Sequence, residues 1–204
     1  MRGFSDEERA RIREELITAG RELFSQFGLQ KTTIADLTEE VGIGRSTFYR
    51  FFDSKEELYL AVLEREGEAV SRRLADRAFG EREDPQVAVE EFLRFVFEEI
   101  ETNPLIEQLV VSGDLDRLRD ERTDAQREAE REAEIETIRA FLDPFVERGQ
   151  LHSDDPELVA RAVAAVPYLT LHQDDIGSDS YPAVRDFVIE TFARGLVDDD
   201  SGDT

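Results

Sequence analysis

The 204-residue sequence contains no cysteine and no tryptophan, and it has only one methionine and two histidines. The absence of cysteine excludes disulfide bonds, a thiolate nucleophile and a Cys-ligated metal. No run of apolar residues approaches the length of a membrane span. The charged N-terminal segment also lacks the apolar core of a signal peptide. We therefore expect a cytoplasmic protein that makes no contact with a membrane.

Recognisable catalytic motifs are missing as well. The sequence contains no glycine-rich phosphate loop and no nucleophile elbow, and its carboxylates are too numerous to single out a catalytic pair. His172 and Asp175 are spaced to share a helix face, but two ligands without a third do not define a metal site. We predict that the protein is not an enzyme and that it binds no metal and no cofactor.

Basic side chains are scarce. The sequence has 25 Lys and Arg residues and 49 Asp and Glu residues, which gives a formal net charge of −24. Such a balance ordinarily argues against nucleic acid as a partner. The charge is unevenly distributed, however. Residues 1–60 hold 9 basic and 12 acidic side chains, a net of −3, whereas the other 144 hold 16 and 37, a net of −21.

Lysine is especially rare, and Lys31 and Lys55 are the only two in the chain. An acidic surface poor in lysine suits a solution of very high salt, in which charges are screened within a few ångström. Our hypothesis is an extremely halophilic source, and the alternative is an acidic surface without that origin.

The segment 32–58 is predicted to form two short helices separated by a tight turn. Thr33 is a suitable N-cap for the first helix, and Asp36 is its capping-box partner three residues later. Gly42 follows the helix, where a stop requires a residue that tolerates positive φ. The apolar face of this helix comprises Ile34, Leu37 and Val41.

The second helix is predicted to begin near Gly44, and no acidic residue occurs between Gly44 and Phe52. Its aromatic residues Phe48, Phe51 and Phe52 are expected to point inward and to leave a polar, basic outer face. A helix, a glycine turn and a second helix with such a face form a helix-turn-helix, which places its second helix in the major groove of DNA.

Candidate DNA contacts follow from the chemistry of this outer face. Arginine reads guanine in a bidentate manner, and Ser, Thr and Tyr bond to bases or phosphates. Ser54 and Glu57 predict the capping box of a further helix, in whose first turn Lys55 is placed to hold a phosphate. The candidates are Thr33, Arg45, Ser46, Thr47, Tyr49, Arg50 and Lys55.

The same stretch resembles the N-terminal domain of the tetracycline-repressor (TetR) family of transcriptional regulators. The match is dense from about residue 16 to residue 63, and beyond residue 80 only the general layout is similar. The residues that carry it are Phe27-Gly28, Thr32-Thr33, Leu37, Val41-Gly42-Ile43, Thr47-Phe48-Tyr49, Phe51-Phe52 and Ser54-Lys55-Glu56-Glu57-Leu58.

The resemblance implies base contacts for Arg45, Ser46 and Thr47 and phosphate contacts for Thr33, Tyr49 and Lys55, with Arg50 as an additional phosphate contact. The alternative is a merely solvated helix face. The sequence departs from the family pattern at three acidic positions, which should weaken phosphate binding at low salt. These positions are Glu39, Glu40 and Asp53.

Helical periodicity continues through the rest of the chain, which predicts an all-α fold with an N-terminal three-helix domain and a C-terminal helical domain. We assign residues 1–53 to the helix-turn-helix domain, 54–79 to a linking helix, 80–197 to a ligand-sensing and dimerisation domain, and 198–204 to a disordered acidic tail. The first helix is predicted to span residues 6–27 and to end at Gly28, and Pro167 is expected to kink the helix that contains it.

The last two predicted helices are more apolar than one small domain requires, so pairing of two subunits in a four-helix bundle is expected. The resemblance implies the same dimer and also a small-molecule effector, which the apolar and aromatic candidate lining predicts to be hydrophobic. Residues that are predicted to line its pocket, but that are equally suited to an ordinary core, are Phe92, Phe95, Val96, Leu105, Leu109, Ile138, Phe141, Phe145, Tyr168 and His172.

Together these features predict a DNA-binding transcriptional regulator, specifically a ligand-responsive repressor that binds a palindromic operator in double-stranded DNA as a homodimer. Two alternatives stay open from the sequence. One is an architectural or cell-cycle DNA-binding protein without a ligand. The other is a dimeric protein-interaction module whose helix-turn-helix is inactive.

Overall fold

Helices dominate the computed structural model, which describes residues 5–77, 82–111 and 123–197. Over these residues the only strand-like pairing is an isolated antiparallel bridge between Leu151 and Val197. The all-α prediction is therefore confirmed. The helices in chain order are α1 (Asp6–Lys31), α2 (Ile34–Val41), α3 (Arg45–Phe48), α4 (Lys55–Asp76), α5 (Pro85–Thr102), α6 (Pro104–Val111), α7 (Asp124–Glu147), α8 (Pro156–Ala165), a 3₁₀ helix (Val166–His172), α9 (Gln173–Ile176) and α10 (Tyr181–Leu196).

The chain divides into two compact units. The first comprises Met1–Arg72 and Glu101–Leu118, and the second comprises Arg73–Ile100 and Arg119–Thr204. The predicted boundary between residues 79 and 80 and the predicted acidic tail, 198–204, lie outside the described residues. The division into 1–53, 54–79 and 80–197 stays a prediction.

The core of the first unit is built from apolar side chains of α1, α2, α3, α4 and α6. Phe24 of α1 packs edge-on against Tyr59 of α4, with ring centroids 4.8 Å apart. Phe48 of α3 and Leu105 of α6 are fully buried in the same cluster. Burial of several large side chains in one cluster fixes these helices relative to one another, because interiors are close-packed.

The helical geometry of α1 is interrupted at Gly28, where the sequence analysis placed the end of the helix, and a further short helical stretch continues to Lys31. Gly28 has φ 73° and ψ 171°, a non-helical conformation that breaks the helix before its last turn. The Thr32 hydroxyl donates a hydrogen bond to the Gly28 carbonyl at 2.8 Å, and the Thr32 backbone N–H donates to the same oxygen at 3.4 Å. These bonds hold the turn that follows the kink.

Helix α6 packs against α1 in the first unit, although it lies within the segment 80–197 that we predicted as a separate domain. Leu105 is fully buried in the cluster, and Leu109 is half-buried against it. Helices α2 and α3 therefore share their core with a helix from later in the chain.

A buried carboxylate connects three parts of the first unit. Glu66 on α4 is only 6% exposed, and its two oxygens accept hydrogen bonds from Arg21 Nε and Asn103 Nδ2, each at 2.7 Å. The Asn103 carbonyl oxygen in turn accepts the Leu105 N–H at 3.1 Å, near the start of α6. A buried charge is tolerated when it is paired and hydrogen-bonded in this way.

The second unit contains a small aromatic cluster. Phe92 of α5 stacks on Phe141 of α7 with centroids 4.7 Å apart, and Phe145 meets Phe141 edge-on at 6.0 Å. Helix α7 also packs against α8. Pro167 has the predicted effect of disturbing its helix, since the chain passes from α8 into the 3₁₀ helix at Val166.

We expect Glu66→Ala to lower the free energy of unfolding by about 2–4 kcal/mol, because the buried Asn103 amide loses its partner. Glu68→Ala is a matched control on the same helix, since Glu68 is exposed and forms only a 3.8 Å surface ion pair with Arg72. The control should cost less than about 0.5 kcal/mol in urea unfolding. Equal effects of the two substitutions would contradict a structural role for Glu66.

Candidate nucleic-acid interface

The first helix of the candidate motif, α2, begins with the predicted capping box. The Thr33 N–H and hydroxyl donate to Asp36 Oδ2 at 2.9 and 2.7 Å, and the Asp36 N–H donates to Thr33 Oγ1 at 3.3 Å. These bonds from the side chain and backbone of Thr33 hold the pKa of Asp36 below its usual value. Asp36 therefore stays charged at the positive end of the helix, where a negative charge is favourable.

The turn after α2 depends on Gly42, which has φ 72° and ψ 31°, in the left-handed region. Its N–H donates to the Glu39 carbonyl at 3.1 Å, and the next N–H, of Ile43, donates to the Thr38 carbonyl at 2.9 Å. A residue with a Cβ is strained in this conformation, so glycine suits the position. The predicted glycine stop is confirmed.

Helix α3 has only four residues, Arg45–Phe48, and it follows Gly44 as its N-cap. Phe48 is fully buried and Phe52 is 3% exposed, whereas Phe51 is half-buried rather than enclosed. The prediction that these aromatic side chains point inward is therefore confirmed for Phe48 and Phe52 and only in part for Phe51. The predicted outer face is exposed at Arg45, Ser46, Tyr49 and Arg50 and half-buried at Thr47.

Two arginines of α1 support the segment after α3, which the sequence analysis did not anticipate. The Arg9 guanidinium lies 5.2 Å from the centre of the Phe51 ring, and the Arg13 guanidinium lies 5.3 Å from the centre of the Phe52 ring. Cation–π contacts of this kind depend on the tertiary fold. A local sequence pattern carries no signal for them.

Acidic side chains surround this face without entering it. Glu39 and Glu40 on α2 and Asp53 after α3 are all exposed.

The capping box predicted for Ser54 and Glu57 is only half right. The Glu57 N–H donates to Ser54 Oγ at 3.0 Å, but the Glu57 carboxylate accepts the N–H of Asp53 instead of that of Ser54.

Lys55, predicted to contact a phosphate, turns toward the protein. Its Nζ donates to the carbonyl oxygens of Leu29 at 2.6 Å, Thr32 at 2.9 Å and Gln30 at 3.3 Å. The ammonium group is therefore directed at the end of α1, and its contact with a phosphate stays a prediction.

The residues predicted to line a ligand pocket are not all brought together. Leu105 and Leu109 belong to the first unit, in the core described above. Tyr168 is 51% exposed and His172 is also exposed. The other six lie in the second unit, buried or half-buried: Phe92, Phe95, Val96, Ile138, Phe141 and Phe145.

The described residues provide neither a cluster of metal ligands nor a membrane-spanning helix. Within residues 5–77, 82–111 and 123–197, no group of three or more His, Cys, Asp or Glu side chains is placed to hold a metal ion. His172 Nδ1 and Asp175 Oδ2 are 3.3 Å apart as an exposed pair. None of the described helices has the length and hydropathy needed to cross a membrane.

These features form a helix-turn-helix, a motif that is typical of DNA-binding proteins. Residues 16–62 match the sequence model of the bacterial regulatory proteins of the tetR family. Over these residues the chain is therefore similar to the bacterial regulatory proteins of the tetR family.

A curated relative is the HTH-type transcriptional regulator RutR of Escherichia coli K12. It is 28% identical over 131 residues, which cover 54% of this chain and 58% of RutR. The chain thus spans about half the length of the curated relatives that it matches.

Solved structures share the fold over nearly the whole chain. A TetR-family regulator from Pectobacterium atrosepticum has a TM-score of 0.76 at 20% identity and covers 95% of this chain and 98% of its own. RolR in complex with resorcinol has a TM-score of 0.67 at 21% identity, with coverage of 93% and 94%. At these identities the likeness shows the fold alone.

The geometry of the turn makes a testable prediction about Gly42. Gly42→Ala should lower the free energy of unfolding by about 1 kcal/mol, because alanine is strained at positive φ. Gly67→Ala is the matched control. Gly67 lies inside α4 with open space around its Cα, so alanine should stabilise by up to about 1 kcal/mol. The free energy of unfolding of both variants is measured by chemical denaturation. A change in the same direction for both substitutions would contradict the role of Gly42 in the turn.

Proposed function

We propose that the protein is a ligand-responsive transcriptional repressor that binds a palindromic DNA operator as a homodimer. The observation that carries the proposal is the outer face of α3, which presents Arg45, Ser46 and Tyr49 without any acidic neighbour from Gly44 to Phe52. Arginine and hydroxyl groups on such a helix suit base edges and phosphates of the major groove.

Individual roles follow from position on the motif. Arg45, Ser46 and Thr47 are the proposed base contacts, with Arg45 foremost because a guanidinium can bond to guanine O6 and N7 together. Thr33, Tyr49 and Arg50 are the proposed phosphate contacts. Lys55 is also a proposed phosphate contact, in which its Nζ would exchange one of its carbonyl acceptors for a phosphate oxygen.

A dimer is supported by apolar side chains that remain exposed in the second unit. Leu158 of α8 is 58% exposed and Phe187 of α10 is 68% exposed. Tyr168 and Leu171 of the intervening 3₁₀ helix are 51% and 44% exposed. Large exposed apolar groups on neighbouring elements favour a protein partner, and a second copy of the chain would pair α8 and α10 in a bundle.

Dimerisation also serves DNA recognition. A single helix of four residues offers few base contacts, so its affinity for one half-site is small. Two copies related by a two-fold axis read two half-sites together, and the operator must then be palindromic.

The proposed effector is an apolar or aromatic small molecule bound in the second unit. Phe92, Phe141 and Phe145 provide aromatic surface there, and RolR, which shares the fold, was crystallised with the aromatic ligand resorcinol. Helix α4 runs from the first unit through Arg72 into the second from Arg73, and α6 shares the core of the first unit. A ligand that binds one arrangement of these helices more tightly shifts DNA affinity by the same free energy.

The acidic composition sets the conditions of binding. With a net charge of −24, the protein repels DNA at low ionic strength, whereas molar salt screens that repulsion. We therefore propose that it works in a cytoplasm of high salt, as expected of a halophilic source.

Selection of bound duplexes from a random pool in molar KCl tests the function. The wild type should enrich a palindrome. Arg45→Ala should lose or relax one position in each half-site, at a cost of about 1–3 kcal/mol per contact. Arg72→Ala removes an exposed arginine of α4 and should select the same palindrome as the wild type.

Absence of enrichment in the wild type at every salt concentration would overturn the proposed DNA recognition and favour a protein-interaction module. An enriched sequence that is identical for the wild type and Arg45→Ala would overturn the role of Arg45 alone.

The dimer is tested at Phe187. Phe187→Glu should shift sedimentation equilibrium in molar KCl toward the 23.3 kDa monomer, because the charge would have to be buried against the second copy. Val87→Glu, at an exposed position of α5 outside the proposed interface, is the control and should leave the dimer intact. A wild type that is monomeric at micromolar concentration would contradict the proposal.

A further inference from the structure

Two arginines on one face of α1 are directed at aromatic rings beside α3. The Arg9 guanidinium lies 5.2 Å from the centre of the Phe51 ring, and the Arg13 guanidinium lies 5.3 Å from the centre of the Phe52 ring. Residues four positions apart are neighbours on a helix surface. Helix α1 therefore meets the segment after α3 with two adjacent cations, each placed over its own ring.

The ring contacts continue from these arginines into the helix-turn-helix. The centres of the Phe52 and Phe48 rings are 6.0 Å apart, and the Tyr49 ring meets the Phe48 ring edge-on at 5.6 Å. Phe48 is fully buried and Phe52 is 3% exposed, whereas Tyr49 is 55% exposed. A series of contacts thus runs from Arg13 through two buried rings to Tyr49, a proposed phosphate contact.

The turn after α3 is shaped by local hydrogen bonds. The N–H groups of Phe51 and Phe52 both donate to the Phe48 carbonyl, at 2.9 and 3.1 Å. Donors and acceptor belong to the same short segment, so these bonds set the shape of the turn but not its orientation relative to α1. Orientation requires contacts from outside the segment, and Arg9 and Arg13 provide such contacts.

Contacts of this kind suit DNA binding in concentrated salt. The screening length falls to about 3 Å at 1 M salt, which weakens ion pairs between exposed side chains. Partly buried interactions are screened much less, and the rings of Phe51 and Phe52 are half-buried and buried. A cation in direct contact with a ring face is attracted without any carboxylate partner. We therefore expect this support to persist in molar KCl.

We propose that Arg9 and Arg13 are positioning residues for DNA recognition. Through the rings of Phe51 and Phe52 they hold the turn after α3, which presents Tyr49, and molar salt does not weaken this support. The inference rests on the proposed function and deepens it, since it gives two residues outside the helix-turn-helix a role in operator affinity.

Salt dependence and affinity together separate a positioning role from two others. Each phosphate contact contributes about 0.9 to the slope of log K against log salt concentration, so its loss costs less affinity as salt rises. A displaced turn lowers affinity by the same factor at every salt concentration. A contact that serves only the stability of the fold lowers Tm and leaves the operator affinity of the folded protein unchanged.

The experiment uses Arg9→Gln and Arg13→Gln, alone and combined, and the double variant Arg9→Lys with Arg13→Lys, which keeps a cation over each ring. Arg11→Gln is the matched control, because Arg11 lies on the same helix and forms an exposed 2.7 Å ion pair with Glu15. Operator affinity is titrated against KCl concentration below the Tm of every variant. Amide hydrogen exchange is measured on the full chain without DNA.

A double-mutant cycle tests whether Arg9 acts through its ring. Phe51→Leu removes the ring at a half-buried position. If the arginine acts through this ring, Arg9→Gln should cause little further loss of operator affinity when it is added to Phe51→Leu. Additive losses would contradict this route.

We expect each single Gln variant to bind the operator about threefold more weakly and the double Gln variant about tenfold more weakly, with an unchanged salt slope. The double Lys variant should stay within about twofold of the wild type. Amide exchange should accelerate in residues 45–53 of the double Gln variant. Arg11→Gln should leave operator affinity and this exchange pattern unchanged.

A shallower salt slope in the double Gln variant would overturn the proposal, as would wild-type affinity or unchanged exchange in residues 45–53. If the wild type binds no duplex, the proposed function fails. The exchange arm then still decides whether Arg9 and Arg13 hold the turn after α3, because it requires no DNA.

Discussion

Burial of Phe48 holds α3, the helix proposed to read DNA, in place. Helix α3 has four residues, far fewer than a helix needs to persist in water by itself. Its conformation therefore depends on the core, in which Phe48 is fully enclosed beside Leu37 of α2 and Leu58 of α4. Every polar group on the outer face of α3 is positioned by this aromatic ring on its inner face. DNA recognition is in this sense a consequence of core packing.

Local features of the motif were predictable from the sequence, because each depends on residues close together in the chain. The Thr33–Asp36 capping box and the Gly42 turn are examples. Features that arise from tertiary contacts were not predictable. The short helical stretch that follows Gly28, the place of α6 in the first unit and the turn of the Lys55 ammonium toward α1 are examples. No spacing rule connects Lys55 to carbonyl oxygens more than twenty residues earlier.

The distribution of charge reconciles an acidic chain with a nucleic-acid ligand. The net charge of residues 1–60 is −3 out of the total of −24, and the face of α3 carries no carboxylate. Exposed Glu39, Glu40 and Asp53 still border that face. Their repulsion of phosphate is long-ranged in dilute buffer and short-ranged in concentrated salt, so specific contacts of α3 can determine affinity only under the second condition.

The central claim is that two α3 helices, each anchored by its buried Phe48, read DNA together. Hydroxyl-radical footprinting of the wild type on its selected duplex in molar KCl tests this claim most directly. The account predicts two protected half-sites on one face of the duplex, with centres about one helical turn or a whole multiple of it apart. Protection of a single half-site, or of backbone with no fixed register, would contradict it.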